Sequence, residues 1–97
     1  MKALYLHLGQ NTIVRSSSVL GVFDLDNSTS SHITRKFLSR MEKEGRVVNV
    51  SSDLPKSFVL CRESGDTRVY LSQLSSQTLL RRSETKNNLI GGGNDNG

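Results

Sequence analysis

The chain has 97 residues, enough for one domain, and carries a formal net charge of +4 with a pI of about 9.6. A domain this small buries only ~60% of its unfolded surface, so we expect a modest core and association with other chains. The opening run ALYLHL is far shorter than the ~20 residues of a membrane-spanning helix, and it lacks a signal-peptide layout. We therefore expect a cytoplasmic protein with no membrane partner. The basic charge favours an anionic partner, although solubility alone is a sufficient reason for it.

The first two predicted elements are the strands of a hairpin. Leucines at positions 4, 6 and 8 alternate with Tyr5 and His7 within Ala3–Leu8, which indicates a half-buried strand. The turn falls at Gly9–Asn11, because glycine and asparagine accept positive φ angles. Thr12–Arg15 then returns as the second strand, and three serines end it.

The next run, Val19–Phe23, is almost continuously apolar and predicts the central strand of a sheet, covered on both faces. Gly21 inside it indicates a bulge or a close backbone approach. Asp24 and Asp26 follow in a loop, but they match no calcium-loop pattern and no third acidic ligand comes at the required spacing. We therefore expect no metal site.

A helix capped by Ser30 or Ser31 is predicted to run to Glu44 and to stop at Gly45. One face of this helix is apolar and consists of Ile33, Phe37, Leu38 and Met41. The other is basic and consists of Arg35, Lys36, Arg40 and Lys43. Since Glu42 and Glu44 accompany the basic residues, the face is expected to be solvated, and contact with nucleic acid is the alternative.

Three further strands are predicted between Arg46 and Ser72, in the runs RVVNVS, FVLCR and TRVYLS. The single cysteine, Cys61, lies in the middle one as a small buried residue, and its being alone excludes an internal disulfide and a cysteine-based zinc site. Ser75 or Ser76 can then cap a short helix, SQTLLRR, with Leu79 and Leu80 facing the sheet. Its two arginines offset the negative end of the helix dipole.

Together these elements predict an α+β fold, with a small, mainly antiparallel sheet, one main helix and a short C-terminal helix. Residues 1–83 are expected to form the domain, and residues 84–97 a disordered polar tail. The predicted core brings together Phe23, Phe37, Val59 and Leu71, with Phe37 packing the main helix on the sheet.

No catalytic motif is present. The chain lacks GxSxG, P-loop, GxGxxG and HExxH patterns, and its two histidines, His7 and His32, pair with no nucleophile in the sequence. The many serines cluster at caps and turns, where their hydroxyls serve the backbone. We expect a protein that is not an enzyme and has no cofactor, no metal and no small-molecule substrate.

Three stretches carry a family resemblance: LYLHLGQNTIVRSSSVLGVFDLD, VVNVSSDLPKSFVL and VYLSQLSSQTLLRR. In this order and spacing they resemble the RemA/RemB family of extracellular matrix regulators of Firmicutes, closer to the RemB branch, from about Leu4 to Arg82. The resemblance implies a compact fold similar to LytTR DNA-binding domains and assembly into a closed ring of identical subunits. For the RemA side it also implies a DNA-binding activator of biofilm matrix genes.

Two positions at which RemA-like proteins carry arginines differ in this chain. Their arginine-rich turn before the penultimate strand matches Leu54–Ser57 of this chain, where only Lys56 is basic. Their arginine after the second strand matches about Ser17 or Ser18, so this chain has a serine there. The resemblance thus points to Lys56 as the main DNA contact, and Pro55 favours it by stiffening the turn. Arg15 and Arg46 are second candidates from charge alone.

Two classes of function stay open. The first is a DNA-binding transcriptional regulator of matrix and biofilm genes that acts as a homo-oligomer, in the form of a ring, through repeated contacts with the backbone of double-stranded DNA. The second is a non-enzymatic binding or assembly module that modulates a partner regulator without touching DNA. DNA binding by a large assembly separates the first class from the second.

Overall fold

A computed structural model describes residues 4–25 and 32–84 and shows the predicted α+β fold. The elements follow the chain as β1 Tyr5–Gly9, β2 Thr12–Arg15, a 3-10 helix Ser16–Ser18, β3 Val19–Asp24, α1 His32–Lys43, β4 Val47–Asn49, β5 Ser57–Glu63, β6 Asp66–Ser72 and α2 Ser76–Ser83. The proposed α1 caps at Ser30 and Ser31, Asp26 of the proposed acidic pair, and the tail from residue 85 lie outside the described residues.

Four strands form the main sheet in the order β3-β5-β6-β4. β3, β5 and β6 are antiparallel neighbours, whereas β4 runs parallel to β6. The loop after β4 carries the chain past β6, to which it is tied by the bonds Val50 N–H to Leu71 C=O (3.0 Å) and Lys56 N–H to Ser72 C=O (2.8 Å). β5 and β6 are therefore the central strands, and the sheet is mainly antiparallel, as predicted.

The prediction that Val19–Phe23 forms the central strand is wrong. β3 lies at the edge of the sheet, and Leu20 and Phe23 are 60% and 40% exposed. The register shifts between Val19 and Gly21, so the predicted bulge is confirmed, and it turns Leu20 towards solvent. Phe23 stacks on Phe58 with ring centroids 4.9 Å apart, and its ring occupies the space where a Cβ on Gly21 would stand, at 2.8 Å. A continuous apolar run did not distinguish such a bulged edge strand from a central one.

The two faces of the main sheet are covered by different elements. The β1–β2 hairpin and α2 cover one face, around a buried cluster of Leu6, Leu8, Val14, Val50, Val59, Cys61 and Leu79. Helix α1 covers the other face, where Met41, Phe58 and Val69 are buried and Phe37, Leu38 and Leu71 are partly buried. Successive residues of a strand point to opposite faces, so the alternation along β5 supplies both clusters.

The predicted core of Phe23, Phe37, Val59 and Leu71 is wrong as one group. Val59 is buried on the hairpin side, whereas Phe37 and Leu71 are half-buried on the α1 side. The residues separate because Val59 and its β5 neighbour Phe58 point to opposite faces, and Phe58 holds the α1-side position.

The predicted start of α2 and the predicted stop of α1 are confirmed, but two apolar residues that were expected to face the sheet are exposed. Ser75 caps α2 by accepting a hydrogen bond from the Thr78 N–H (3.1 Å), and Gly45 follows α1 with φ +72°. In α2, Leu79 is fully buried and Leu80 is 53% exposed, because helix neighbours point about 100° apart. Ile33, in the first turn of α1, is 78% exposed and thus also departs from its predicted apolar face.

Ser72 joins the hairpin to the main sheet, and its replacement by alanine is expected to lower the free energy of unfolding by about 1–3 kcal/mol. Its fully buried hydroxyl donates to the Leu8 carbonyl (2.7 Å) and accepts from the Leu74 N–H (3.0 Å), so alanine leaves both groups without a partner. Urea unfolding measures the loss. Ser51→Ala is the control, because among the described residues the Ser51 hydroxyl makes one hydrogen bond, which it accepts from the exposed Asp53 N–H (3.0 Å). Equal losses in the two variants would show that Ser72 does not hold the hairpin.

Candidate nucleic-acid interface

Lys56 presents its charge on a backbone that is held from two sides. Its N–H donates to the Ser72 carbonyl (2.8 Å), and its carbonyl accepts from the Leu25 N–H (3.0 Å). Pro55 precedes it; its ring fixes the φ angle of Pro55 itself and restricts the backbone of Leu54, which leaves little freedom to the turn. The side chain itself is exposed. A cation on an ordered turn can meet a phosphate with less loss of entropy than one on a mobile loop.

Arg15 is the last residue of β2 and is paired with Tyr5 across the hairpin. The backbone that follows is fixed by the Ser16 N–H, which donates to the Leu4 carbonyl (2.9 Å). The Ser18 hydroxyl is buried and donates to the Arg15 carbonyl (2.8 Å). Arg15 therefore projects an exposed guanidinium from a rigid corner.

Arg46 is half-buried and already has protein partners. Its Nη1 donates to the Thr67 carbonyl (3.2 Å) and its Nε donates to the Glu44 carboxylate (3.1 Å), while Asp66 lies 3.9 Å from Nη1. These contacts tie the start of β4 to the β5–β6 turn. A phosphate at Arg46 has to compete with two carboxylates.

The three predicted DNA contacts do not form one site. Lys56 stands just before the first residue of β5, whereas Arg62 is next to the last, so the two are about 20 Å apart at 3.4 Å per strand residue. Arg15 lies at the Arg62 end, because the strand that follows it begins with Val19 paired to Cys61. Arg46 lies there too, since its carbonyl accepts from the Val69 N–H (2.9 Å).

Arginines from successive parts of the fold are therefore gathered at the end of the sheet opposite Lys56. We call this the arginine end; its members are Arg15, Arg62, Arg68 and Arg46. Carboxylates of Glu44, Glu63 and Asp66 alternate with them. Chain order did not reveal this grouping, because it depends on β3 pairing with β5 and β4 pairing with β6.

Two neighbouring clefts open at the arginine end. The first, of about 460 Å³, is lined by Arg15, Ser17, Ser18, Arg62, Glu63 and Ser64. The second, of about 250 Å³, is lined by Cys61, Glu63, Ser64, Asp66, Arg68 and Tyr70. The first cleft has two cations and one carboxylate, and the second has one cation and two carboxylates. Only the first has a charge that attracts an anion.

The Cys61 thiol at the second cleft is not set up as a nucleophile. Burial raises its pKa, a hydrogen bond with Ser18 lowers it by less than burial raises it, and the charge of Glu63 raises it by a smaller amount. The thiol is therefore protonated at neutral pH, as expected for the buried apolar residue predicted from the sequence.

The remaining candidate features can be placed on the described residues. Across residues 4–25 and 32–84, no group of three or more His, Cys, Asp or Glu side chains is arranged to hold a metal. His7 and His32 are both exposed, one on β1 and one at the start of α1.

None of the described helices is long and apolar enough to cross a membrane. On α1, Arg40 pairs with Glu44 (3.5 Å), whereas Lys36 and Lys43 stay exposed.

Comparison with known proteins identifies the family. A family model described as "RemA-like: Extracellular matrix regulatory protein A-like" matches residues 5–82. Extracellular matrix regulatory protein B of Bacillus subtilis (strain 168) is 32% identical over 81 residues, which cover 84% of this chain and 91% of that protein. The family model thus spans the elements from β1 to α2. The chain therefore belongs to the RemA-like family of extracellular matrix regulatory proteins.

Proposed function

We propose that this chain is a cytoplasmic DNA-binding transcriptional regulator of extracellular matrix and biofilm genes, and that it acts as a ring-shaped homo-oligomer. Membership of a family of matrix regulatory proteins supports the regulatory role. The single observation that carries the DNA-binding part is the exposed Lys56 on a doubly hydrogen-bonded turn. The proposed role is non-enzymatic and rests on binding alone.

A few basic residues per subunit are sufficient for DNA binding if many subunits contact the same duplex. Each phosphate that a protein neutralises adds about 0.9 to the slope of log affinity against log salt concentration, so a single lysine binds DNA weakly. Subunits joined in one assembly present the same lysine many times to one duplex, and the contacts then add. DNA binding and assembly are therefore two parts of one proposal.

The uncovered edge of the sheet supports self-association. In the described part of the chain, β3 is paired on one side only, by β5. Its sequence VLGVFD has neither the lysine nor the proline that commonly protects an edge strand. Leu20 and Phe23 on this strand are substantially exposed. Such a surface favours pairing with another chain.

The same surface favours the second candidate, a module that binds a partner regulator without touching DNA. An exposed edge strand accepts a strand from any protein of suitable sequence. This candidate needs none of the basic residues, so DNA binding distinguishes the two.

The test combines a gel shift with a mass measurement. A duplex of mixed sequence is titrated with the protein at about 50 and 200 mM salt, and light scattering gives the mass of the free protein. We expect binding that weakens steeply with salt, and a mass several times that of the 10.7 kDa chain. Absence of DNA binding at both salt concentrations would support the partner-binding module, and the mass of a monomer would contradict the ring.

A further inference from the structure

We propose that Arg62 and Arg15 together hold a phosphate group in the first cleft of the arginine end, and that Glu63 limits the affinity of this site. The inference rests on the proposed function and deepens it, because it adds a second phosphate contact far from Lys56. Arg62 is the new residue, since neither charge nor family resemblance singled it out.

The cleft is built by elements that fix its walls. The 3-10 helix Ser16–Ser18 follows β2, and β3 then pairs with the end of β5, so Arg15 and Ser17 are brought beside Arg62. The Ser18 hydroxyl holds the Arg15 carbonyl (2.8 Å) and is itself buried. On the other wall, Ser64 turns the chain into β6 with φ +52°. The backbone under both arginines is ordered before any ligand arrives.

Arg15 and Arg62 are available to a ligand. Within the part of the chain that the structure describes, neither side chain takes part in a hydrogen bond or an ion pair, whereas Arg46 has Glu44, Asp66 and the Thr67 carbonyl. Both side chains are exposed and line the same cleft. A guanidinium is a planar fork of N–H donors that matches phosphate oxygens, and the hydroxyls of Ser17 and Ser64 can add donors of their own.

Glu63 sets the strength of the site. Glu63 is among the residues that line both clefts, so it brings one negative charge to a cleft that has two arginines. A phosphate entering the first cleft meets this charge at short range, and the repulsion weakens binding. Removing the charge while keeping the size of the side chain should therefore strengthen binding, a gain that damage to the fold cannot produce.

The variants Arg62→Ala, Glu63→Gln and Arg68→Ala test the inference through their affinity for a labelled duplex, measured by anisotropy at several salt concentrations. We expect Arg62→Ala to weaken binding about tenfold at low salt and to lower the slope by about one unit per subunit in contact. We expect Glu63→Gln to strengthen binding severalfold. Arg68→Ala is the matched control: it removes an exposed arginine from the same end of the sheet, but from the cleft that has two carboxylates, and should stay within about twofold of the parent protein.

A second arm identifies the source of the phosphate. Inorganic phosphate is titrated into the unmodified protein and into Arg62→Ala, and the NMR signals of the Ser17 and Ser64 amides are followed. Shifts that are lost in Arg62→Ala, together with unchanged DNA affinity, would assign the cleft to a free phosphate compound and overturn the DNA backbone as its ligand. Failure of the parent protein to bind DNA contradicts the proposed function. If the parent binds and Arg62→Ala behaves like Arg68→Ala with no phosphate-dependent shifts, the inference alone is overturned.

Discussion

Replacing Leu79 by alanine is expected to lower the free energy of unfolding by about 2–5 kcal/mol, because a fully buried leucine leaves a cavity. Leu79 belongs to the cluster that holds α2 and the β1–β2 hairpin against the sheet, with Val59 at its centre. The loss is a large share of the stability of a domain of this size, which is about 5–15 kcal/mol. Urea unfolding followed by circular dichroism measures it.

Leu80→Ala is the matched control, in the same helix and with the same change of side chain. Leu80 is more than half exposed, so its truncation should change the stability by no more than about 0.5 kcal/mol. Equal losses at both positions would mean that α2 is rotated from the orientation described, and that the hairpin is held by other contacts.

Lys56→Ala is expected to weaken DNA binding to a similar extent for all sequences and to lower the salt slope by about one unit for each subunit in contact with DNA. A lysine meets phosphate as a point charge and reads no base edge, so sequence preference should not change. Because the substitution is present in every subunit, the total loss grows with the number of subunits in contact with DNA. Anisotropy of labelled duplexes of different sequence measures both quantities.

Lys36→Ala is the control for this variant, since Lys36 is an exposed lysine on the basic face of α1. It should leave affinity and slope unchanged while the mass of the assembly stays the same. A loss in Lys36→Ala with none in Lys56→Ala would move the DNA contact to α1, the alternative that the sequence left open.

Local patterns predicted the local structure well. Glycine and asparagine between the two predicted strands marked the hairpin turn, where Gly9 and Gln10 take positive φ angles, and Ser75 capped α2 as expected. These features depend on a few adjacent residues and on the backbone angles they permit. The order of strands in the sheet depends on contacts between distant residues, and there the prediction for β3 was wrong. The bulge at Gly21 exposes Leu20 in a run that otherwise resembles a buried strand.

The candidate site was predicted only in part for the same reason. Charge and family resemblance selected Lys56, Arg15 and Arg46 one by one. Whether each side chain is exposed or paired could be seen only in the folded structure. The Arg46 guanidinium is paired with Glu44 and Asp66, whereas no side chain or backbone group among the described residues pairs with the Arg15 guanidinium. Arg62 became a candidate only once the pairing of β3 with β5 brought it beside Arg15. Charge counted along the chain does not show which cations share a surface.

The mass of the protein–DNA complex shows whether the chain binds DNA as an assembly of several subunits. Sedimentation of the protein with a short duplex at low salt, followed by the same run at high salt, gives the number of chains bound to each duplex. We expect one assembly of several 10.7 kDa chains on each duplex at low salt, and release of the intact assembly at high salt. A duplex that sediments alone at low salt, or one that carries a single chain, would contradict it.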